Sequence, residues 1–413
     1  MYASDMGCHV RIMRGNTDPV ESTGPVSRRK LLATTGGALA VGLAGCRGGS
    51  DGNDGSDGND SSDGNDGSDG SDSGSTDGGM ETPEKPDSLT VRAWGGTWQE
   101  NLNTYVAEPF TEETGIGIEF DNSTEEKMQG KIRTAVNQDR EPPVNVNWSL
   151  TKTSMRSYQM GLMEPMDLET VPNLEGLLAA GQPEIEDAEW PFVNLYSYTY
   201  SLTYNTDEVN SEPTSWMTWW DDQWENDIGL YPGGHGITPL LGKITDTELG
   251  PADQMTPIWD MYRDLKPNVQ MVGDDSTLTQ NLRQGEIAMA VMLPANIANA
   301  QDDGAPVDYT IPEEGARVGR DTMYTPKGQS ESETYWGQKF INTACAAENI
   351  GPWCENLGVA PLHPEADIPQ WMVDSVAFPT SEEQFNQMIT VPLDTYVEYG
   401  SAWESKVNEI MGG

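Results

Sequence analysis

The sequence predicts an α/β protein of two lobes, each a mainly parallel sheet flanked by helices. Three observations predict it. Ser88-Leu89-Thr90-Val91-Arg92-Ala93-Trp94 alternates like a strand and runs through Gly95-Gly96 into a helical stripe and a second strand, the order of a βαβ unit. The same order returns where Ile228-Gly229-Leu230-Tyr231 leads through Pro232-Gly233-Gly234-His235-Gly236 into a helix. Ile287 to Leu293 is continuously apolar, as a strand buried on both faces should be. The two units lie more than a hundred residues apart and so imply two sheets, and the roughly 330 residues from Glu81 onward suffice for two lobes.

In the first unit Thr97 and Glu100 have the spacing of a capping box. Trp98, Leu102, Tyr105, Val106 and Phe110 then recur at helical spacing until Gly115 ends the helix, and Ile116 to Phe120 reads as the next strand. Val144 to Trp148 is a further strand. Trp216, Trp219, Trp220 and Trp224 also fall at helical spacing, which predicts packing rather than a ligand box. Ile237 to Ile244 is the helix that follows the glycine loop.

The N-terminal segment is an address. Ser27-Arg28-Arg29-Lys30 precedes an apolar stretch, Leu31 to Gly45, of about 15 residues, short of the roughly 20 that span a bilayer. Leu43-Ala44-Gly45-Cys46 closes it as a lipobox, so residues 1–45 are expected to be a twin-arginine lipoprotein signal, with Cys46 the lipidated residue; the alternative is an uncleaved anchor. From Ser50 to Gly79 the chain is almost only Gly, Ser, Asp and Asn, with aspartate at every third position from Asp51 to Asp72. With no apolar side chains to bury, 46–87 is expected to be a solvated tether. It lacks the spacing of calcium repeats, and the hydrolase-like string Gly48-Gly49-Ser50-Asp51-Gly52 has no strand or helix around it.

The chain has 23 Lys and Arg against 67 Asp and Glu, a net charge of −44. The first 45 residues carry five basic and three acidic groups, so the exported part is near −46. Such repulsion is screened at molar salt, where the Debye length is about 3 Å, and this predicts a halophilic protein. It argues against nucleic acid as a partner. Cys345 and Cys354 form an even pair in an oxidising compartment, which predicts a disulfide; the alternative is two buried thiols on neighbouring helices.

Several strings together resemble the extracellular solute-binding proteins of ABC importers, in the group that includes the spermidine/putrescine-binding proteins. They are Trp94-Gly95-Gly96-Thr97-Trp98-Gln99-Glu100 with Glu112-Glu113-Thr114-Gly115-Ile116, Tyr204-Asn205-Thr206-Asp207-Glu208-Val209 with Pro213-Thr214-Ser215-Trp216, Leu265-Lys266-Pro267-Asn268-Val269, Gly285-Glu286-Ile287-Ala288, and Ile311-Pro312-Glu313-Glu314-Gly315. The resemblance implies a type II periplasmic-binding-protein fold whose lobes close on a solute about a two-stranded hinge. It also implies no catalysis, no cofactor, a permease with its ATPase as partner, and a monomer outside the cell on a lipid anchor. The division is then 88–200 for the first lobe, 201–318 for the second, and 319–413 for the return to the first lobe and the C-terminal helices.

Ligands of open α/β sheets sit beyond the carboxyl ends of strands. That rule nominates Trp94, Thr97 and Trp98, then Ser149 and Thr151, from the first lobe. Tyr198 and Tyr200 come from a lobe-crossing strand whose Asn194, Tyr196 and Tyr204 share their parity. Tyr231, His235 and Asn296 come from the second lobe, and Arg320 and Asp321 from the return crossover. Of the ammonium clamp of polyamine-binding members, Asp321 alone carries over: the glycine loop offers no carboxylate, Leu293 stands for one tryptophan and Gly319 for another. The resemblance implies a small polar solute of the polyamine-family type; a glycine loop leading into a helix, with Arg320 beside Asp321, gives the alternative of a carboxylate-bearing or zwitterionic solute such as an amino-acid conjugate, unless Arg320 and Asp321 simply pair with each other or with surface carboxylates. The alternative classes are a sugar-binding protein or a carboxylate-based glycosidase. Metal capture is not expected, because the tyrosines alternate along a strand rather than standing adjacent.

Overall fold

The structure is a computed structural model and describes residues 82–185 and 190–412. The signal, Cys46 and most of the tether lie outside the described residues. The first sheet runs in the order β12 (Ala360–Pro361), β5 (Val193–Thr199), β11 (Val318–Pro326), β3 (Val146–Leu150), β1 (Ser88–Arg92), β2 (Gly117–Asp121), with β4 (Met163–Glu164) paired to β11. β1 pairs in parallel with both β2 and β3, whereas β11 is antiparallel to β3 and β5. The second sheet runs β10 (Val307–Thr310), β6 (Ser201–Asn205), β9 (Met289–Met292), β7 (Ile228–Leu230), β8 (Val269–Val272).

Each sheet has its own core. In the first, the alternation of β1 buries Leu89 and Val91 completely, and Trp148, Tyr196 and Trp353 pack edge to face beneath it. In the second, Ile287 to Met292 are all fully buried, as an apolar run between two layers must be. Trp216 and Trp219 are buried in that core and Trp220 and Trp224 pack against it, in short 3₁₀ turns rather than in an α-helix.

Two local expectations are corrected. The capping box at Thr97 and Glu100 does not form: positive φ at Gly95 and Gly96 (86° and 52°) starts the helix at Gly96, so Thr97 already lies inside it, and the N-cap is Gly95 with no side-chain bond. Cys345 and Cys354 are free buried thiols, not a disulfide. They sit on the successive helices Glu331–Cys345 and Ala347–Leu357 in the first core, where burial raises both thiol pKa values and keeps the groups protonated.

The sheets are joined where the chain crosses between them. Tyr200 stands between β5 and β6, and residues 311–317 return from β10 to β11. The crossovers pair directly, Tyr200 N–H donating to the Arg317 carbonyl at 2.9 Å. A third segment joins them, because Ile389 N–H donates to Ala316 (2.9 Å) and Ile389 accepts from Val318 N–H (3.1 Å). A third segment thus lies beside the two crossovers through an isolated bridge between Arg317 and Ile389. The C-terminal helix Leu393–Gly412 then spans the junction: Leu393 enters a core of the first lobe with Met155 and Tyr324, while Trp403 and Val407 enter the core of the second.

The glycine loop is tightly built. Gly234 has φ 67°, and a Cβ there would lie 2.2 Å from the Tyr262 hydroxyl. Gly234→Ala should therefore lower stability by about 1–3 kcal/mol, through left-handed backbone and overpacking together. Denaturant unfolding at molar salt reads this as a lower midpoint at unchanged slope.

Candidate functional site

A cavity of about 420 Å³ opens at the junction. Its walls come from the start of the helix Thr151–Gln159, from Tyr198 near the end of β5 and Tyr200 just after it, from Arg317 and the start of β11 to Arg320, from His235 in the glycine loop, and from Tyr396 and Glu404 on the C-terminal helix. An adjoining cavity shares Tyr200 and His235 and continues to Tyr231, Leu293, Asp274 and Asp275.

The nominated residues divide between this cavity and the cores. Thr151, Tyr198, Tyr200, His235 and Arg320 line it, and Tyr231 lines its neighbour, with its hydroxyl bonded to Asp275. Asn296 lies further out and donates to Asp275 at 2.7 Å. Ser149 is fully buried in β3 and donates to Glu125 at 2.6 Å. Trp98 stacks on Tyr196, and Trp94 lies over the Arg92 guanidinium at 3.8 Å; both pack at the margin of the first core. Thr97 is exposed in the first helical turn.

Asp321 faces the first core. It is 3% exposed and accepts from Trp94 Nε1 (2.9 Å) and Tyr196 Oη (2.7 Å), and burial raises its pKa to about 7. Arg320 and one N–H of the glycine loop, both proposed to receive an anion, are already engaged. Arg320 donates to Glu184 (2.7 Å) and to the Ala180 carbonyl (3.2 Å), and Gly233 N–H donates to Asn408 of the C-terminal helix (2.9 Å).

Sequence reasoning missed Arg317, Lys152, Arg156, Tyr396 and Glu404. Arg317 is 8% exposed and lies 5.0 Å from the ring centroids of both Tyr200 and Tyr396. Lys152 pairs with Glu404 at 2.7 Å, and Arg156 donates to Ser401 at 3.1 Å. Partial burial lowers the His235 pKa, and the Arg317 charge lowers it further against the opposing pull of Glu404. Glu125 accepts from Ser149 Oγ, Leu150 N–H (2.7 Å) and Thr153 Oγ1 (3.2 Å), so a protein carboxylate already fills the N-terminus of the helix Thr151–Gln159. The wall thus holds four of the chain's 23 Lys and Arg against three of its 67 Asp and Glu, a local reversal of the overall charge.

Two α/β sheets joined by paired crossovers, with a polar cavity at the joint, define a two-lobed binding protein. The model of the bacterial extracellular solute-binding protein family matches residues 105–380, two thirds of the chain, and the protein belongs to that family. Solved structures share the fold. A spermidine/putrescine ABC transporter substrate-binding protein, PotD, from Streptococcus pneumoniae aligns with TM-score 0.65 at 19% identity over 79% of this chain and 98% of its own. A GABA receptor aligns with TM-score 0.65 at 18% identity over 78% and 97%. The binding protein AgtB of A. tumefaciens, in complex with agropinic acid, aligns with TM-score 0.59 at 17% identity over 80% and 100%. No curated protein matches the sequence significantly.

Proposed function

We propose that this protein is the solute-capturing subunit of an ABC importer, exported by the twin-arginine route, tethered outside the membrane through Cys46 and acting as a monomer, and that its solute carries an anionic group. The supporting observation is the cluster of Lys152, Arg156, His235, Arg317 and Arg320 around one cavity in a chain of net charge −44. A cavity selected for a linear polyamine would be expected to concentrate carboxylates and aromatic faces instead. The ammonium clamp supports a polyamine poorly, since its remaining carboxylate, Asp321, is held by Trp94 and Tyr196. The fold does not choose among solutes: its relatives include a spermidine/putrescine protein, a GABA receptor and a complex with agropinic acid.

Calorimetric titration at molar salt tests this with spermidine, putrescine, succinate, γ-aminobutyrate and glutamate. The expected result is heat from at least one acid and none from the polyamines. Saturable binding of a polyamine, with none of the acids, would favour the polyamine reading and defeat the anionic one.

A further inference from the structure

We infer that Arg317 is the anion anchor of the cavity and seats a solute carboxylate between Tyr200 and Tyr396; this rests on the solute-binding reading above. Its guanidinium is more than nine-tenths buried, yet it lines the cavity wall. Among the described residues no carboxylate lies within ion-pair distance of it. Of the other cations of the wall, Lys152 pairs with Glu404 and Arg320 with Glu184, while Arg156 bonds the neutral Ser401 hydroxyl in an exposed contact rather than a buried one. A buried guanidinium without a counter-charge is unfavourable, and a chain with 67 acidic residues could readily supply a carboxylate. Tyrosines hold the charge instead: the rings of Tyr200 and Tyr396 lie beside the guanidinium and the Tyr200 side chain takes one hydrogen bond from it, which leaves other N–H groups of the planar fork for a planar acceptor.

Two rival anion positions are at least partly occupied from within the protein. Glu125 occupies the N-terminus of the helix Thr151–Gln159, and Asn408 occupies the Gly233 N–H. A phosphate fits the surroundings less well than a carboxylate, because Glu125, Glu126 and Glu404 share the wall and would repel a second negative charge. Position also matters. The Arg317 carbonyl receives Tyr200 N–H from the other crossover, and Tyr396 rides on the helix that packs into both lobes. A carboxylate on Arg317 therefore contacts groups from three segments that join the lobes, and its binding is coupled to their relative position.

The test uses the full chain at molar salt, with succinate, γ-aminobutyrate, glutamate, inorganic phosphate and putrescine as probes, read by calorimetry and by thermal shift. A carboxylate probe should bind the wild type, Arg317→Gln should weaken it roughly 100-fold or more, and Arg263→Gln, at an exposed arginine outside the cavity, should leave it within a few-fold. Arg317→Lys keeps the charge without the fork, and should bind about tenfold more weakly if Arg317→Gln does not fold. Unchanged affinity in whichever Arg317 variant folds overturns the anchor while leaving the anionic-solute reading standing. Binding of putrescine alone overturns both. Binding of phosphate in preference to every carboxylate, or of no probe at all, overturns the carboxylate anchor without touching family membership.

Discussion

Asp321→Asn should make the protein more stable above pH 7 and leave its stability nearly unchanged near pH 4. Burial holds the Asp321 carboxyl at a pKa of about 7 in the folded chain, against an ordinary value of 3.8. Between these values the folded state binds the proton that the unfolded state has released. Stability therefore falls as pH rises from about 4 to 7, and above 7 the whole penalty is present. A shift of about three units corresponds to roughly 4 kcal/mol as an upper figure. Asparagine removes the charge yet keeps an oxygen to accept from Trp94 and Tyr196. Denaturant unfolding of both proteins at pH 4, 6 and 8 in molar salt checks the sign, and equal pH dependence would refute it. The same variant bears on solute class, since an ammonium clamp at Asp321 would lose its ligand whereas binding at Arg317 would not.

Trp403→Ala should lower stability by about 3–5 kcal/mol, the usual range for emptying a fully packed tryptophan site. Trp403 is 2% exposed, stacks against Tyr396 and donates from Nε1 to the Gly250 carbonyl at 2.7 Å. It fixes the distal half of the C-terminal helix in the second core, while Leu393 fixes the proximal half in the first lobe. The loss should therefore extend beyond the second core to the Lys152–Glu404 pair, which joins that helix to the first lobe. Chemical denaturation gives the magnitude. A solute-affinity measurement on the folded variant gives the coupling, with weaker binding expected because Tyr396 and Glu404 line the cavity.

The fold was legible because it is written in local patterns. The alternation of Ser88 to Arg92, the turn at Gly115 and the unbroken apolar run from Ile287 each depend on near neighbours and a single period. The capping box failed because two consecutive glycines with positive φ began the helix before Thr97, and residue spacing does not encode φ. Cys345 and Cys354 satisfied a counting rule, but both are free buried thiols in the first core, and a count does not encode the geometry a disulfide needs.

The site was legible only in part. Strand ends brought Thr151, Tyr198, Tyr200 and His235 to one cavity, as the topology rule anticipates. Arg320 lines the same cavity, but its partner Glu184 comes from a loop far away in sequence. Arg317 lies three residues earlier, at the crossover itself, and its position there was the one available signal. Tyr396 and Glu404 reach the cavity because a terminal helix folds back across both lobes, and nothing local in its sequence specifies that return.

A crystal structure of the protein with its co-purified solute would show which groups hold the ligand. A small molecule is expected between the two sheets, with an acid group on the Arg317 guanidinium between Tyr200 and Tyr396. A solute seated instead on Trp94, Trp98 and Asp321, with Arg317 untouched, would contradict it.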